Sequence, residues 1–335
     1  MLQVCICGGG SLGHVCAGVL SSQNEVAVNI YTKQPSRWSR ELTVTDNNGK
    51  EYKGKLNIVS SNPKDCISNC DIVLLCLPGY AIEGVLKEIQ PFLNKRCCVG
   101  TIVSSTGFFF KAHEILPSPT ALFGFQRVPY IARVKDYGKT ASLLGYKSEV
   151  AVAMENIDDT EQMRTIIENL FITPTVLLNN FYEASLTNSN PILHTGRLYS
   201  MFKEWKGEKY DHNILFYKEW TDDASQILIE MDSEFMSLLD HLPVDKSKIP
   251  SLLNYYEVHD AASLTRKIAS IQAFQTILSP MSEVDGGWIP DFSSRYFTED
   301  FPHGLRYIKQ LADEHNVPVP TIDKVYAWGM QKCNK

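Results

Sequence analysis

The stretch "CICGGGSLGHVCAGVL", residues 5 to 20, is an apolar run that breaks on three consecutive glycines and then resumes. Glycines in series have the most backbone freedom to lose on folding, so the cluster needs a compensating reason. Gly8, Gly10 and Gly13, with Ser11 and Leu12 between the last two, have the spacing G-x-G-x-x-G. They lie after a strand pattern and open a helix pattern. There the first glycine makes a tight turn, the second lets a pyrophosphate approach the backbone, and the third lets helix and strand pack closely. The helix N-terminus adds the positive end that anions favour. The bland alternative is a strand-to-helix turn that binds nothing.

The rest of the first half favours the ligand. "LQVCIC" (2–7), "VAVNIY" (26–31), "LNIVSS" (56–61), "DIVLLCL" (71–77) and "CCVGTIV" (97–103) are near-continuous apolar runs, the pattern of parallel strands covered by helices on both faces. Between the last two, Ile82, Val85, Leu86, Ile89 and Leu93 have the spacing of one helical face. Asn48-Gly49 within residues 43–54 predicts a small antiparallel hairpin inserted after the second strand. This alternation predicts an α/β fold, a doubly wound (Rossmann) parallel sheet. Beyond about residue 175 helical patterns take over, over 221–242 and again from 304 to a stop at Asn316 before Pro318 and Pro320. At 335 residues two domains are expected: a nucleotide-binding domain over 1–175 and a second, mostly α-helical domain over 176–335.

Composition closes off other classes. A net charge of −6 gives no basic stripe for nucleic acid, and no apolar run reaches the roughly 18 to 20 residues of a membrane span. "MLQVCIC" lacks a basic leader, which predicts a cytoplasmic protein without a signal peptide. Nine cysteines at spacings such as C-x-C and C-x3-C match no zinc or redox signature, so neither metal nor disulfide is expected.

The end of the second strand bears on which dinucleotide binds. NAD sites usually present a carboxylate there, NADP sites cations for the extra phosphate. "IYTKQPSRWSR" offers Thr32, Lys33, Arg37 and Arg40 and no acid before Glu41, which favours NADP while leaving NAD open. Leu77 and Pro78, closing the strand 71–77, complete the expected cofactor set.

Two further clusters carry chemistry. In "TNSNPILHTGRL" (187–198), Asn190-Pro191 reads as an N-cap followed by proline at the first helical position, placing His194 at the end of the first turn. The positive field there disfavours a second charge, so the imidazole is expected to titrate near neutrality, as an acid–base group needs. In "SSRYFTEDFPHGL" (293–305), Arg295, Glu299, Asp300 and His303 crowd before another helix. A hydrogen-bonded structural histidine and a helix-stabilising acidic turn are the bland alternatives.

Taken together, the N-terminal glycines, Asn190-Pro191-x-x-His194, Arg295-Tyr296-x-x-Glu299-Asp300-x-Pro302-x-Gly304-Leu305, Val317-Pro318-x-Pro320-Thr321-Ile322-Asp323 and "QRVPYIARV" (126–134) resemble the octopine/nopaline (opine) dehydrogenase family over nearly the whole chain. The resemblance implies reductive condensation of a 2-oxo acid with the amine of an amino acid, using NADP or NAD, with His194 and Asp300 as the catalytic pair. Arg133, Arg197 and Arg295 are candidate carboxylate clamps and Asn190 a further substrate contact, with surface or interdomain ion pairs as the alternative for each arginine. The expected partners are small-molecule substrates, with no nucleic acid or membrane; a homodimer is also entertained. Two other functions stay open: a ketopantoate-reductase-like reductase of 2-oxo acids, and a non-catalytic NADP-binding redox sensor.

Overall fold

The computed structural model describes residues 1–333, which fall into two compact units, Met1–Ser185 and the residues from Leu186 onward. The final two residues of the expected second domain lie outside the described residues.

In chain order the first unit begins β1 (Leu2–Cys7), α1 (Ser11–Ser21), β2 (Val26–Tyr31), β3 (Glu41–Asp46), β4 (Glu51–Lys55), β5 (Ile58–Ser60), α2 (Pro63–Ile67), β6 (Ile72–Leu75) and α3 (Gly79–Ile89). It continues β7 (Cys98–Ile102), α4 (Phe108–Ile115), β8 (Leu122–Phe125), β9 (Tyr130–Asp136), β10 (Thr140–Tyr146), β11 (Val150–Glu155), α5 (Thr160–Phe171), β12 (Thr175–Leu177) and α6 (Phe181–Ser185). Eight strands form one sheet in the order β12-β11-β8-β7-β6-β1-β2-β5, parallel throughout except where β11 runs against β8. The five apolar runs of the sequence are β1, β2, β5, β6 and β7. Val4, Ile6, Val28, Ile30 and Val73 are fully buried, as strands covered on both faces require.

The Asn48-Gly49 hairpin forms as β3–β4, but it is not an isolated insertion. It joins β9–β10 in a second, four-stranded sheet, β4-β3-β10-β9, in which β3 and β10 run parallel. The helix α1 packs between the two sheets: residues Gly13 to Leu20 are all buried. Gly18 sits so close to Val44 that a Cβ there would overlap its side chain. A helix covered on both sides must be apolar all round, which is why "GHVCAGVL" shows no polar face. Residues 176–185 fold with this unit, since β12 extends the sheet from β11.

The second unit contains α7 (Asn190–Phe202), α8 (Asp222–Leu239), α9 (Leu252–Tyr256), α10 (Ala261–Ser270), a hairpin of β13 (Met281–Val284) and β14 (Gly287–Pro290), α11 (Arg295–Thr298), α12 (Arg306–Glu314) and α13 (Pro320–Cys333). Between α11 and α12 the chain makes a wide π-helical turn over Phe301–Leu305. The stripe expected on 221–242 is buried on α8, with Thr221 capping it by accepting from the Ala224 N–H at 3.2 Å. Gly196 of α7 meets Met231 and Ile227 of α8, bringing the two helices into close contact. Gly304 lies against Pro191, so the π turn is drawn onto the first turn of α7.

Candidate active site

In the first unit the glycine loop is shaped for a ligand. Gly8 has φ of +133°, a conformation L side chains rarely adopt, and a Cβ there would overlap the Cys76 carbonyl oxygen. A Cβ on Gly13 would overlap the Gly8 carbonyl oxygen, whereas nothing lies within 4 Å of where one on Gly10 would stand. The loop is closed on its protein side and open at Gly10, above the N-terminus of α1. It borders a cavity of about 560 Å³. These features fit the pyrophosphate of a dinucleotide, held by backbone N–H groups and the helix terminus.

Of the expected cofactor residues, Gly8, Gly10, Thr32, Lys33, Leu77 and Pro78 line this cavity. Gly13 supports the loop from behind, Leu12 is half-buried, and the Ser11 hydroxyl accepts from the Val134 N–H at 3.2 Å. Arg37 is not in the lining: it donates to Gln34 Oε1 at 2.7 Å and its guanidinium lies 4.1 Å over the Tyr137 ring. Arg40 is tied to the Asn57 carbonyl of the adjoining segment. The cavity also holds a carboxylate that β2 does not supply, Glu88 of α3, which accepts from the Tyr31 hydroxyl at 2.5 Å.

Two residues were not legible in the sequence, one lining the cavity and one buried behind it. Tyr137, in the turn between β9 and β10, lines the cavity, and its hydroxyl abuts Gly9. That turn is pinned by His14 of α1. The Gly138 N–H donates to His14 Nε2 at 2.8 Å, so the ring's proton is on Nδ1, which donates to the Gly10 carbonyl at 2.9 Å. The ring also stacks on Trp38 at 4.1 Å. Burial holds the His14 pKa below its ordinary value, consistent with a neutral imidazole.

In the second unit α7 starts at Asn190, one residue before the reading above places it. Ser189 is the cap position, and Asn190 is exposed with its side chain uncommitted to capping. Four residues on, the largely buried His194 is bound at both ring nitrogens. Nδ1 is 2.8 Å from Asp300 Oδ2, and Nε2 is 2.9 Å from the Tyr217 hydroxyl. The π turn and the Gly304–Pro191 contact bring Asp300 there, 106 residues away in the chain. Tyr296 packs on the imidazole with ring centroids 4.8 Å apart. Burial raises the Tyr217 phenol well above its ordinary pKa.

Arg295 is exposed at the start of α11. Arg133 is exposed on β9 of the first unit, opposite Ser142. Arg197 cannot serve as a clamp. It is 2% exposed, donates from Nε to the Phe216 carbonyl at 3.1 Å and from Nη2 to the Glu219 carbonyl at 2.7 Å. Burial lowers its pKa to about 10. Its guanidinium instead fixes the segment that carries Tyr217.

Comparison with known proteins agrees with both units. Residues 177–333 match the family described as NAD/NADP octopine/nopaline dehydrogenase, alpha-helical domain, and residues 4–128 match Ketopantoate reductase PanE/ApbA. The chain is 26% identical to octopine dehydrogenase of Mizuhopecten yessoensis, covering all of this chain and 90% of that enzyme. It is 25% identical to tauropine dehydrogenase of Arabella iricolor, covering all of this chain and 92% of that one. A solved structure of octopine dehydrogenase with NADH and L-arginine superimposes with a TM-score of 0.88 at 26% identity, covering all of this chain and 90% of that one. Residues 177–333 thus carry the helical domain of the octopine/nopaline dehydrogenases, and the chain is an NAD(P)-dependent oxidoreductase of the opine-dehydrogenase type.

Proposed function

We propose that the protein condenses a 2-oxo acid with the amine of an amino acid and reduces the resulting C=N bond at the expense of NADPH. The observation that carries this reading is the Asp300–His194–Tyr217 chain in the unit that matches the family. Bound reduced nicotinamide supplies the hydride for the C=N carbon. The chain's residues manage charge and protons. His194 gives a proton as the oxo oxygen leaves as water, and Asp300 keeps the Nδ1 proton in place and stabilises the imidazolium. Arg295 and Asn190, both exposed in the same unit, are assigned to substrate carboxylates, with Arg133 of the first unit a second candidate cation in this reading. Lys33 in the cavity supports NADPH, while Glu88 offers a ribose-binding carboxylate that keeps NADH a substrate.

Octopine dehydrogenase has been solved with pyruvate and with L-arginine, ligands of the two classes this reading requires. Neutral imines form poorly from protonated amines in water, so an enzyme gains most by holding both reactants together. NADPH oxidation with a 2-oxo acid is therefore expected to stay near background until a suitable amino acid is added, and to saturate in both. The match of residues 4–128 to ketopantoate reductase favours a second reading, a 2-oxo acid reductase needing no amine. Rapid oxidation with oxo acid alone, indifferent to every amine in a substrate matrix, would establish that reading instead.

A further inference from the structure

We infer that Tyr217 is a proton relay between His194 and the substrate; the inference rests on the catalytic role given to His194 above. A carboxylate can only accept, so with Asp300 at Nδ1 the neutral imidazole carries its proton there and presents a lone pair at Nε2. That lone pair is covered. The Tyr217 hydroxyl, 2.9 Å away, donates to it. The nitrogen that would exchange a proton with substrate thus already has a protein partner.

The phenol is held firmly in that place. Its ring stacks on Phe274, with centroids 4.6 Å apart, and on Trp220 at 6.1 Å with the planes within 10°. Arg197, three residues beyond His194 on α7, grips the backbone carbonyls of Phe216 and Glu219 on either side of it. One buried cation therefore fixes the hydroxyl relative to the imidazole. Because burial disfavours the phenolate, Tyr217 stays protonated at neutral pH and passes a proton on only as it receives one.

The imidazolium gives its Nε2 proton to the Tyr217 oxygen, while the Tyr217 hydroxyl proton goes to the hydroxyl of the carbinolamine formed from oxo acid and amine. The C–O bond breaks, water leaves, and the nitrogen lone pair closes the C=N bond. Histidine ends neutral, tyrosine is unchanged, and one proton has been consumed.

Tyr217→Phe keeps the stacked ring and removes only the hydroxyl. It is expected to lower kcat about 100-fold, the scale of a lost acid–base group, with NADPH affinity and melting behaviour unchanged. Nitrogen NMR of His194 should show Nδ1–H retained and the hydrogen bond at Nε2 gone. In mixed H2O and D2O, kcat should vary along a curve in the native enzyme, two protons moving together, and along a straight line in Tyr217→Phe. Near-native turnover in Tyr217→Phe, or the same straight line in both proteins, would overturn the relay while leaving His194 catalytic. Near-native turnover in His194→Ala would overturn the catalytic reading itself, and the relay with it.

Discussion

Among single residues, His194 carries the sharpest expectation. His194→Ala should lower turnover by roughly 100-fold or more, and Asp300→Asn should also impair it by removing the charge that supports imidazolium. Neither should alter NADPH affinity in a binding titration, because the cavity around the glycine loop is built from the first unit alone. A histidine kept only for structure would instead yield a variant with lowered stability and normal turnover. Motif spacing brought His194 and Asp300 to attention, and their 2.8 Å contact is what the spacing could not show. Tyr217 was invisible for a physical reason. It sits in "NILFYKEW", an irregular aromatic segment with no periodicity, and its place depends on Arg197. Arg197 was misread for the related reason that a sequence does not distinguish an arginine facing solvent from one donating to buried carbonyls. Its apolar neighbours Leu193 and Leu198 on α7 were the available signal.

Elements were more legible than contacts. The five apolar runs are strands, and α8 and α12 bury the positions their spacing predicts; α3 buries Ile82, Val85, Leu86 and Ile89 but ends before Leu93, which is only half-buried. The four-stranded sheet was not foreseen as a unit, since β3–β4 and β9–β10 are separated by more than 70 residues and pair only through β3 and β10. That sheet carries the turn that reaches the cofactor cavity, and this makes two variants separable. Lys33→Ala removes an exposed cation from the cavity rim and should weaken NADPH about five- to tenfold while leaving NADH nearly unchanged. His14→Ala unpins Gly10 from the Tyr137–Gly138 turn and should weaken both coenzymes alike. Parallel titrations of each variant with NADPH and NADH check both statements. A Lys33→Ala protein that loses NADH and NADPH equally would show that this lysine does not read the 2′-phosphate.

The molecule as a whole has two cores, one wrapped around α1 and one between α7, α8 and the C-terminal helices, and this should be visible in how it unfolds. A chain with two separate cores is expected to depart from a single all-or-none transition. Calorimetry should resolve two, and NADPH, which binds only folded protein, should raise the one belonging to the first unit. The other should respond to Asp232. This carboxyl on α8 is 6% exposed, accepts from the Leu252 N–H at 2.9 Å, and is pushed up by burial to about 6. A carboxyl whose folded pKa lies above its unfolded value binds more protons in the folded state between the two. Stability therefore falls as pH rises through roughly 4 to 6 and stays lower at pH 7. Asp245 and Asp260 of the same unit have pKa values below the ordinary range, so they are ionised in both states above about pH 5 and add no slope there. Asp232→Asn keeps an oxygen for the Leu252 N–H and removes the charge. It should raise the second transition at pH 7, by an amount on the order of 2–3 kcal/mol, and make little difference near pH 4. NADPH should leave that gain untouched. A single transition moved together by NADPH and by Asp232→Asn would mean that the two units unfold as one, despite their separate cores.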